Sequence, residues 1–267
     1  MDILCEIQNK YTQFSEKEKA IADYILQYGD KIKNINITDL AKEIGTSGAT
    51  ITRFSKKIGC DNFVDMKIKL SSTGSESAQN EEEGIFSYVY KYYNEVIEKT
   101  KLIIDKDSIF KVVNEIKKAK HIYIYGVGSS GLTGEEMMQR LLRMGFNVHS
   151  ITDSHMMIIN SSIVSMGDLI IGISISGETE ELIQALRLSK KRGAKIVGMT
   201  SFKDSMVSKL SDIELIVYNP KFVDKNKFIN SQFSVMYIID LISMVLLEDH
   251  KLNEKMQITI DAILKNN

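Results

Sequence analysis

The sequence predicts an all-α domain followed by an α/β domain with a doubly wound parallel sheet. Apolar residues up to position 70 recur at helical spacing. Residues 71–84, SSTGSESAQNEEEG, are polar and acidic and cannot bury a core face, which is typical of a linker. Beyond them, short apolar runs alternate with helix-length segments. This alternation is typical of parallel sheets with helices on both faces.

The composition is that of an ordinary globular protein, with 43% apolar and 26% charged residues. A chain of 267 residues fits one large domain or two modest ones. The formal net charge of −1 gives no overall attraction to nucleic acid or membrane, so a basic binding surface must be local. Cys5 and Cys60 lie far apart and the N-terminus lacks a secretory leader, so we expect a cytoplasmic, reducing environment.

The most apolar stretch, residues 229–247, is predicted to be a packed helix rather than a membrane span. It contains Asn230, Gln232 and Asp240, which a bilayer would have to bury in hydrocarbon. Because the stretch is apolar on most sides, a subunit interface can bury the side that the sheet does not cover. We therefore expect no membrane association, and a homodimer or higher homo-oligomer assembled through the second domain.

The predicted domain organisation is a first domain at 1–72, a linker at 73–84 and a second domain at 85–267. The second domain begins with a helix predicted over 85–104. Five short runs rich in Ile, Val and Tyr then predict its strands. These runs span residues 121–126, 147–151, 169–174, 195–200 and 213–218. The single proline, Pro220, follows the last run.

The stretch ITDLAKEIGTSGATITRFSKKIG carries the pattern of a helix-turn-helix. Thr38 is predicted to cap a short first helix, and Ser47 to cap the second. Gly45 lies where the chain must turn sharply, and we expect a positive φ there. Ala41, Gly45 and Ile51 have the spacing of a DNA-binding helix-turn-helix, with a small residue where the two helices cross.

A local basic face supports DNA binding. Residues 41–70 contain six basic and three acidic side chains, a net charge of +3 in a nearly neutral chain. Lysine and arginine can neutralise phosphates, while hydroxyls and arginine near the helix start can contact base edges. The residues expected to contact DNA are Ser47, Thr50, Thr52, Arg53, Lys56 and Lys57. The alternative is the mildly basic, solvated face that any small helical bundle carries.

The loop after the first predicted strand, YGVGSSGLTGEE, admits two interpretations. Gly126, Gly128 and Gly131 spell G-x-G-x-x-G between a strand and a helix, which is the dinucleotide-binding fingerprint. Asp153 lies about twenty residues further on, where an acid that binds ribose belongs. Two adjacent serines inside the loop, however, suit a smaller phosphorylated ligand.

The end of the third predicted strand favours the smaller ligand. Its sequence GISISGETEE places the hydroxyls of Ser174, Ser176 and Thr179 around Gly177, where a strand turns into a helix. Hydroxyls and free backbone N–H groups at a helix N-terminus bind phosphate or another anion. Both loops follow the carboxyl ends of strands, where open parallel sheets bind ligands. Two hydroxyl-lined turns therefore suit one small phosphorylated polyol.

Together these loops resemble the sugar isomerase (SIS) domain. The S-x-S-G-x-T loop of that family is matched in full by SISGET, and the hydroxyl pair of its first loop by GSS. The resemblance implies a phosphosugar-binding site. Its expected ligand-binding residues are Gly128, Ser129, Ser130, Ser174, Ser176, Gly177 and Thr179.

A helix-turn-helix domain followed by an SIS domain is similar to the RpiR family of bacterial transcriptional regulators. The similarity covers nearly the whole chain and includes FSEKEKAIADYIL and LLRMGFNVHSITDSH. It implies transcription regulation in carbohydrate metabolism, with operator DNA and a sugar-phosphate effector as partners. Gly48 departs from the family, in which an acidic residue is common at the first turn of the recognition helix. Glycine weakens the start of that helix slightly.

SIS domains also occur in enzymes that interconvert aldose and ketose phosphates. Such an isomerase needs a base beside the carbonyl and usually an acid to open the ring. Glu135 and Glu136 begin the helix after the first loop, but acids are common there because they favour the helix dipole. The histidines are His121, His149, His155 and His250. None of these residues forms an evident acid–base pair or metal-ligand cluster in the sequence.

We therefore predict a DNA-binding regulator whose operator binding responds to a sugar phosphate, with no catalytic residues, cofactor or metal. Two alternatives stay open. One is a sugar-phosphate isomerase with a fused helical domain. The other is a regulator that binds a nucleotide through Asp153.

Overall fold

The chain divides into two compact units. The computed structural model describes residues 2–32, 34–73, 84–219 and 229–265. The first unit comprises residues 1–99 and 218–229, and the second comprises residues 100–217 and 230–267. The division falls inside a long helix, whereas the predicted boundary precedes that helix. Pro220 and the predicted linker, apart from its two end residues, lie outside the described residues.

The described part of the first unit is helical, as the periodicity predicts. Its helices are α1 (Ile3–Lys10), α2 (Glu16–Ile32), α3 (Ile37–Ile44), α4 (Gly48–Lys57), α5 (Phe63–Thr73) and all but the last four residues of α6 (Gly84–Ile103), with a 3₁₀ turn at Tyr11–Gln13. The position of α6 confirms the helix predicted over 85–104. Helices α1 to α5 share one core, whose buried side chains include Phe14, Ile25, Leu40, Ile51 and Phe54.

The α3–α4 pair folds as predicted except at its first residue. Asn36 caps α3, because its side-chain oxygen accepts the backbone N–H of Thr38 at 3.0 Å. Thr38 itself lies inside the first turn, so the predicted cap is wrong by two residues. Gly45 ends α3 with a φ of 72°, and the Ser47 hydroxyl caps α4 by accepting the N–H of Thr50. Both of these features agree with the sequence prediction.

A buried ion pair connects α1 and α6 with Tyr218 within the first unit. The Lys99 ammonium lies 2.7 Å from a carboxylate oxygen of Glu95 and 3.7 Å from one of Asp2, and only 7% of Lys99 is exposed. The Tyr218 hydroxyl donates to Glu95 at 3.2 Å. Burial, and then the charge of Glu95, raise the pKa of this phenol, so Tyr218 remains a hydrogen-bond donor.

The second unit contains the predicted parallel sheet. Its strands are β1 (Ile122–Tyr125), β2 (Val148–Ile151), β3 (Leu169–Ile173), β4 (Lys195–Thr200) and β5 (Ile213–Ile216), each inside its predicted run. They lie in the order β2-β1-β3-β4-β5, and all neighbouring pairs are parallel. In this register Ile124 lies between Ser150 and Ile171. We call the edge at which all five strands end the carboxyl edge, and the opposite one the amino edge.

Helices cover both faces of this sheet. They are α7 (Lys106–Lys118), α8 (Ser129–Arg143), α9 (Ser154–Ile163), α10 (Glu180–Lys191), α11 (Met206–Leu210), α12 (Phe233–Leu247) and α13 (His250–Lys265). Helices α7, α8 and α12 share one core with Leu169, Ile171 and Ile173 of β3. Helices α9, α10 and α11 share another core with Ile170. Successive side chains of β3 thus point to opposite faces, as in any strand.

The second unit itself covers most of the apolar helix α12. The side chains of Val235, Ile238, Ile239, Ile242 and Leu246 are buried in the core shared with α7 and α8. Met244, by contrast, is 66% exposed. The side of α12 that we expected to contact a second subunit is therefore largely covered by neighbouring helices. The apolar composition of α12 does not by itself require a second subunit.

Cys5 and Cys60 are both free and buried. Burial raises the pKa of the Cys5 thiol to about 12 and also raises that of Cys60, so both thiols stay protonated near neutral pH. No helix in the described ranges is long and apolar enough to cross a membrane. The same ranges hold no group of three His, Cys, Asp or Glu side chains that could bind a metal ion.

Candidate functional site

Two serine-containing loops are neighbours at the carboxyl edge of the second unit. The first serine loop, residues 126–131, connects β1 to α8, and the second serine loop, residues 174–179, connects β3 to α10. Because β1 and β3 pair directly, the two loops leave adjacent strands at the same edge. The structure therefore brings together the two halves of the predicted ligand site.

Glycines allow the first serine loop to approach its strand closely. Gly128 has a φ of 58°, a conformation that favours glycine. A Cβ atom on Gly126 would lie 2.8 Å from the backbone of Ser130, and one on Gly131 would lie 2.8 Å from the carbonyl oxygen of Gly126. No side chain fits at either position without a shift of the backbone. The start of α8 is thus held against β1, with Ser129 exposed and Ser130 buried.

The hydroxyls of the second serine loop form a cluster. The Oγ of Ser174 lies 2.8 Å from Oγ1 of Thr179 and 3.3 Å from Oγ of Ser176. The Gly177 N–H donates to Ser174 at 3.0 Å, and the Glu178 N–H donates to Ser176 at 3.2 Å. Because a hydroxyl donates one hydrogen bond and accepts two, these serines can turn their hydrogens toward an anion and keep both N–H contacts.

The start of α11, after β4, holds the second serine loop in place. Gly177 has a φ of 67°, and a Cβ atom there would lie 2.2 Å from Oγ of Ser205. The Gly177 carbonyl accepts the N–H of Val207 at 3.0 Å, and the Glu178 carboxylate accepts the N–H of Met206 at 3.0 Å. These bonds do not use the hydroxyl cluster. The loop is therefore held in place by contacts outside the hydroxyl cluster.

Helices α8 and α10 begin at these loops without a side-chain cap. Gly128 and Thr179 occupy the N-cap positions, and neither supplies a side-chain hydrogen bond to the helix. By contrast, Asp105 caps α7 and Asp153 caps α9. First-turn N–H groups without a cap, together with the positive end of the helix dipole, attract anions. The carboxyl edge thus offers two helix starts and a hydroxyl cluster to a negatively charged ligand.

Asp153 has a structural role in the second unit. Its carboxylate accepts the N–H of Met156 at 2.9 Å and so begins α9. The acid that a dinucleotide-binding site uses for ribose is therefore engaged by its own helix. The G-x-G-x-x-G pattern still permits a nucleotide, but Asp153 no longer supports that interpretation.

Three of the candidate acid–base residues have other partners. His121 precedes β1 at the amino edge, where its ring nitrogen lies 2.8 Å from the Asp168 carboxylate. The His149 ring stacks on Tyr123 with 5.9 Å between centroids. Glu136 forms an ion pair of 2.8 Å with the arginine one turn later in α8.

The remaining acid–base candidates are Glu135, His155 and His250, and two of them lie near the carboxyl edge. Glu135 lies in the second turn of α8, and His155 lies in the first turn of α9, so both are near the carboxyl edge. His250 begins α13, with its ring nitrogen 3.4 Å from Glu254. Glu135 and His155 are therefore the candidates left for acid–base chemistry at the serine loops.

The residues predicted to contact DNA lie on α4 and at its cap, in the first unit. Ser47, Arg53 and Lys56 are exposed, whereas Thr50 and Thr52 are half-buried. The Thr50 hydroxyl oxygen lies 2.9 Å from Oγ of Ser47 and 3.4 Å from Nη2 of Arg53. The Thr52 hydroxyl instead donates to a carbonyl one turn earlier in α4. The structure thus brings Ser47, Thr50 and Arg53 together at the helix start.

A concavity of about 310 Å³ adjoins this surface, which the sequence interpretation did not include. It is lined by Ser15, Lys17, Glu18, Thr50 and Arg53. A capping box fixes the start of α2 there: Glu18 accepts the N–H of Ser15 at 2.8 Å, and Ser15 accepts that of Glu18 at 3.4 Å. The S-x-x-E pattern in FSEKE was the signal for this feature. The concavity adds Lys17 to the basic surface at the start of α4.

Comparison with known proteins matches both halves of the chain. Residues 1–77 match the helix-turn-helix domain of the rpiR family, and residues 115–242 match the SIS domain. A Clostridium perfringens protein described as an uncharacterized HTH-type transcriptional regulator is 32% identical over 253 residues, which cover 91% of each chain. The chain belongs to the RpiR family of transcriptional regulators.

Two solved structures are similar in fold to this RpiR-family regulator. The Vibrio vulnificus NanR protein complexed with ManNAc-6P is similar over 99% of each chain, with 27% identity and a TM-score of 0.65. A putative sugar-phosphate isomerase from Listeria monocytogenes covers 64% of this chain and 92% of its own, with 19% identity and a TM-score of 0.56. At that identity, the likeness to the isomerase shows the fold alone.

Lys57 of this regulator has partners inside its own unit. Its ammonium lies 2.9 Å from the Glu18 carboxylate and donates to the carbonyl of Gln13 at 2.9 Å. It also lies over the Phe14 ring, 5.2 Å from the centroid. Lys57 was predicted to contact DNA, but these contacts engage its charge in joining α4 to the start of α2.

The contacts of Glu18 also lower the pKa of its carboxyl group. Burial alone would raise that pKa, but hydrogen bonds from Ser15 and Lys57 outweigh it. Because the folded pKa is the lower one, Glu18 stabilises the fold fully above its unfolded pKa. That stabilisation disappears as the pH falls through the folded pKa.

Glu18→Gln should therefore lower the stability of the first unit near neutral pH, by about 0.2–1 kcal/mol for a partly exposed pair. The difference from wild type should close as the pH falls below the ordinary value of 4.5. Thermal unfolding between about pH 7 and about pH 3 measures this. Glu16→Gln, at a side chain that is 91% exposed, is the control. A difference that stays constant with pH would contradict the prediction.

Proposed function

We propose that this chain is a transcriptional regulator whose binding to operator DNA is controlled by a sugar phosphate at the carboxyl edge. The observation that carries this proposal is the cluster of Ser174, Ser176 and Thr179 hydroxyls beside the uncapped start of α10. Membership of the RpiR family supplies the regulatory role. NanR, which is similar over 99% of each chain, is described as complexed with ManNAc-6P.

The chemistry of phosphate suits the second serine loop. Fully ionised phosphate oxygens accept hydrogen bonds, and the loop supplies hydroxyl donors next to a helix start. Neither serine loop contains lysine or arginine. Binding therefore depends on hydrogen bonds and helix dipoles rather than on a loop ion pair. In this proposal Gly128, Ser129 and Ser130, at the start of α8, contact the same ligand from the neighbouring strand end.

Operator binding is assigned to the start of α4. Arg53 and Lys56 are exposed and positively charged, so they can contact phosphates or base edges. Ser47 and Thr50 add hydroxyls to the same surface. Lys17, across the concavity from Arg53, extends the basic surface to α2 and can contact the phosphate backbone.

An isomerase is the second candidate function, and the fold shared with a putative sugar-phosphate isomerase favours it. In that case Glu135 and His155 supply the acid and base. A turnover assay with hexose and hexosamine phosphates separates the two functions. The regulator predicts binding without turnover. Isomerisation that disappears in Glu135→Gln would favour the enzyme.

A homodimer or higher homo-oligomer through the second unit is part of the proposal. Helix α9 carries exposed apolar side chains at helical spacing, at Met156, Ile159 and Ile163, followed by the exposed Met166. A contiguous apolar stripe of this kind suits contact with a second copy. A two-fold dimer presents two α4 helices to a palindromic operator, with half-sites one or more helical turns apart.

Ser176→Ala should weaken sugar-phosphate binding by roughly ten- to a hundred-fold, because a hydrogen bond to a charged group contributes about 1.5–3 kcal/mol. Calorimetric titration with hexose and hexosamine phosphates measures the loss. Ser162→Ala is the matched control, since that hydroxyl donates to a backbone carbonyl within α9. Equal affinity of Ser176→Ala and wild type would remove the second serine loop from the ligand site.

Arg53→Ala should weaken operator binding and leave sugar-phosphate binding unchanged, because Arg53 lies in the other unit. An arginine that contacts guanine contributes about 1–3 kcal/mol of sequence discrimination. DNA selected from a random library by the wild-type protein serves as operator in retention assays at fixed salt. Arg187→Ala removes an exposed charge from the second unit as the control. Unchanged DNA binding in Arg53→Ala would show that the surface is wrongly assigned.

Sugar-phosphate binding should change operator affinity by roughly 5- to 150-fold, a coupling of about 1–3 kcal/mol. Linkage requires the operator to change sugar-phosphate affinity by the same factor. Operator is titrated with and without the sugar phosphate, and the sugar phosphate with and without operator. Identical affinities, for a sugar phosphate that does bind, would contradict effector control and favour the isomerase.

A further inference from the structure

Helix α12 runs from the carboxyl edge to the amino edge of the sheet. Helix α7 leads into β1, so the end of α7 lies at the amino edge. Lys117, in the last turn of α7, forms an ion pair of 2.9 Å with Asp249, which lies two residues beyond the end of α12. The end of α12 is therefore at the amino edge. Its first turn is consequently at the carboxyl edge, with the serine loops.

The packing of α12 places that first turn near the end of β3, where the second serine loop begins. Helix α7 packs on β5, and α8 packs on β1 and β2, while α12 contacts both of these helices. Helix α12 therefore lies between them, over β3 and β4 in the middle of the sheet. Ile175, inside the second serine loop, packs against the same core as Val235 in the first turn of α12.

Two buried oxygens at this helix start lack partners. Gln232, the N-cap residue, is 5% exposed, and Ser234 is 1% exposed. Among the described residues, neither Oε1 of Gln232 nor Oγ of Ser234 has a hydrogen-bond partner. A buried polar oxygen without a partner destabilises the free protein, so such groups usually have a bound water or a ligand as partner. Moreover, no side chain caps α12, as at the starts of α8 and α10.

We propose that Gln232 and Ser234 bind the hydroxyl groups of the sugar chain, while the serine loops bind its phosphate. This inference rests on the proposed function. The Gln232 oxygen cannot bind the phosphate end of the ligand. An amide oxygen only accepts hydrogen bonds, and a phosphate dianion has no hydrogen to donate. Within the ligand, only a sugar hydroxyl or an amide N–H can be the partner of the Gln232 oxygen. Gln232 and Ser234 are thus specificity-determining residues of this site.

Gln232→Leu and Ser234→Ala test the assignment. The probes are glucose 6-phosphate, glucosamine 6-phosphate, N-acetylglucosamine 6-phosphate and N-acetylmannosamine 6-phosphate. We expect each variant to weaken the best probe at least ten-fold and to change the ranking of the four. Ser176→Ala should instead weaken all four by a similar factor. Ser243→Ala, at a buried serine nine residues after Ser234 in α12, is the matched control and should bind as wild type.

Thermal unfolding of the free variants supplies a second readout. Replacing a buried oxygen without a partner by an apolar group should leave the melting temperature unchanged or raise it. A marked fall in Gln232→Leu would mean that its oxygen has a structural partner, and Ser234→Ala would then decide the assignment. If both variants bind the four probes as wild type does, or weaken all four equally, this inference is wrong while the proposed function stands. If wild type binds no sugar phosphate, both fail together.

Discussion

The common direction of the five strands is the constraint on which the proposed ligand site depends. Because all of them end at one edge, residues 126–131 and 174–179 come together although other elements separate them in sequence. The same constraint brings the N-terminal ends of α8 and α10 to one place, so their dipoles add there. Neither serine loop contains lysine or arginine, so the attraction for an anion at that edge comes from the helix starts rather than from a basic side chain in a loop. The selectivity of the site can then be set by hydroxyls and amides.

Most of the fold could be predicted because burial leaves a clear pattern in the sequence. Strands covered on both faces appear as short runs of Ile and Val, and all five lie inside the predicted runs. The helix-turn-helix could also be predicted, because the positive φ at its turn strongly favours glycine and Gly45 occupies that position. In the proposed ligand site, the position of the serine loops could be predicted from the strand ends alone. Their hydrogen bonds could not be predicted, because the partners Met206 and Val207 belong to α11, a distant part of the sequence.

The features that sequence could not give depend on contacts between distant residues. Asn36 and Thr38 are both good caps, and only the backbone decides which of them precedes the helix. Lys57 has the spacing of a DNA-contacting residue, but Glu18 lies close enough to engage it. Periodicity showed that α12 is apolar, but not that α7 and α8 cover it. The unpartnered oxygen of Gln232 likewise has no signature in the sequence.

The Lys99 ion pair has a consequence for the order in which the chain can fold during synthesis. Tyr218 leaves the ribosome 119 residues after Lys99. Until then the buried ammonium lacks one of its partners, and the N–H of Asn219 has not yet reached the side chain of Gln8. Helices α1 to α5 can assemble early around their own core. The first unit is completed only after the last strand of the second has been made, so the maturation of the two units is interleaved rather than sequential.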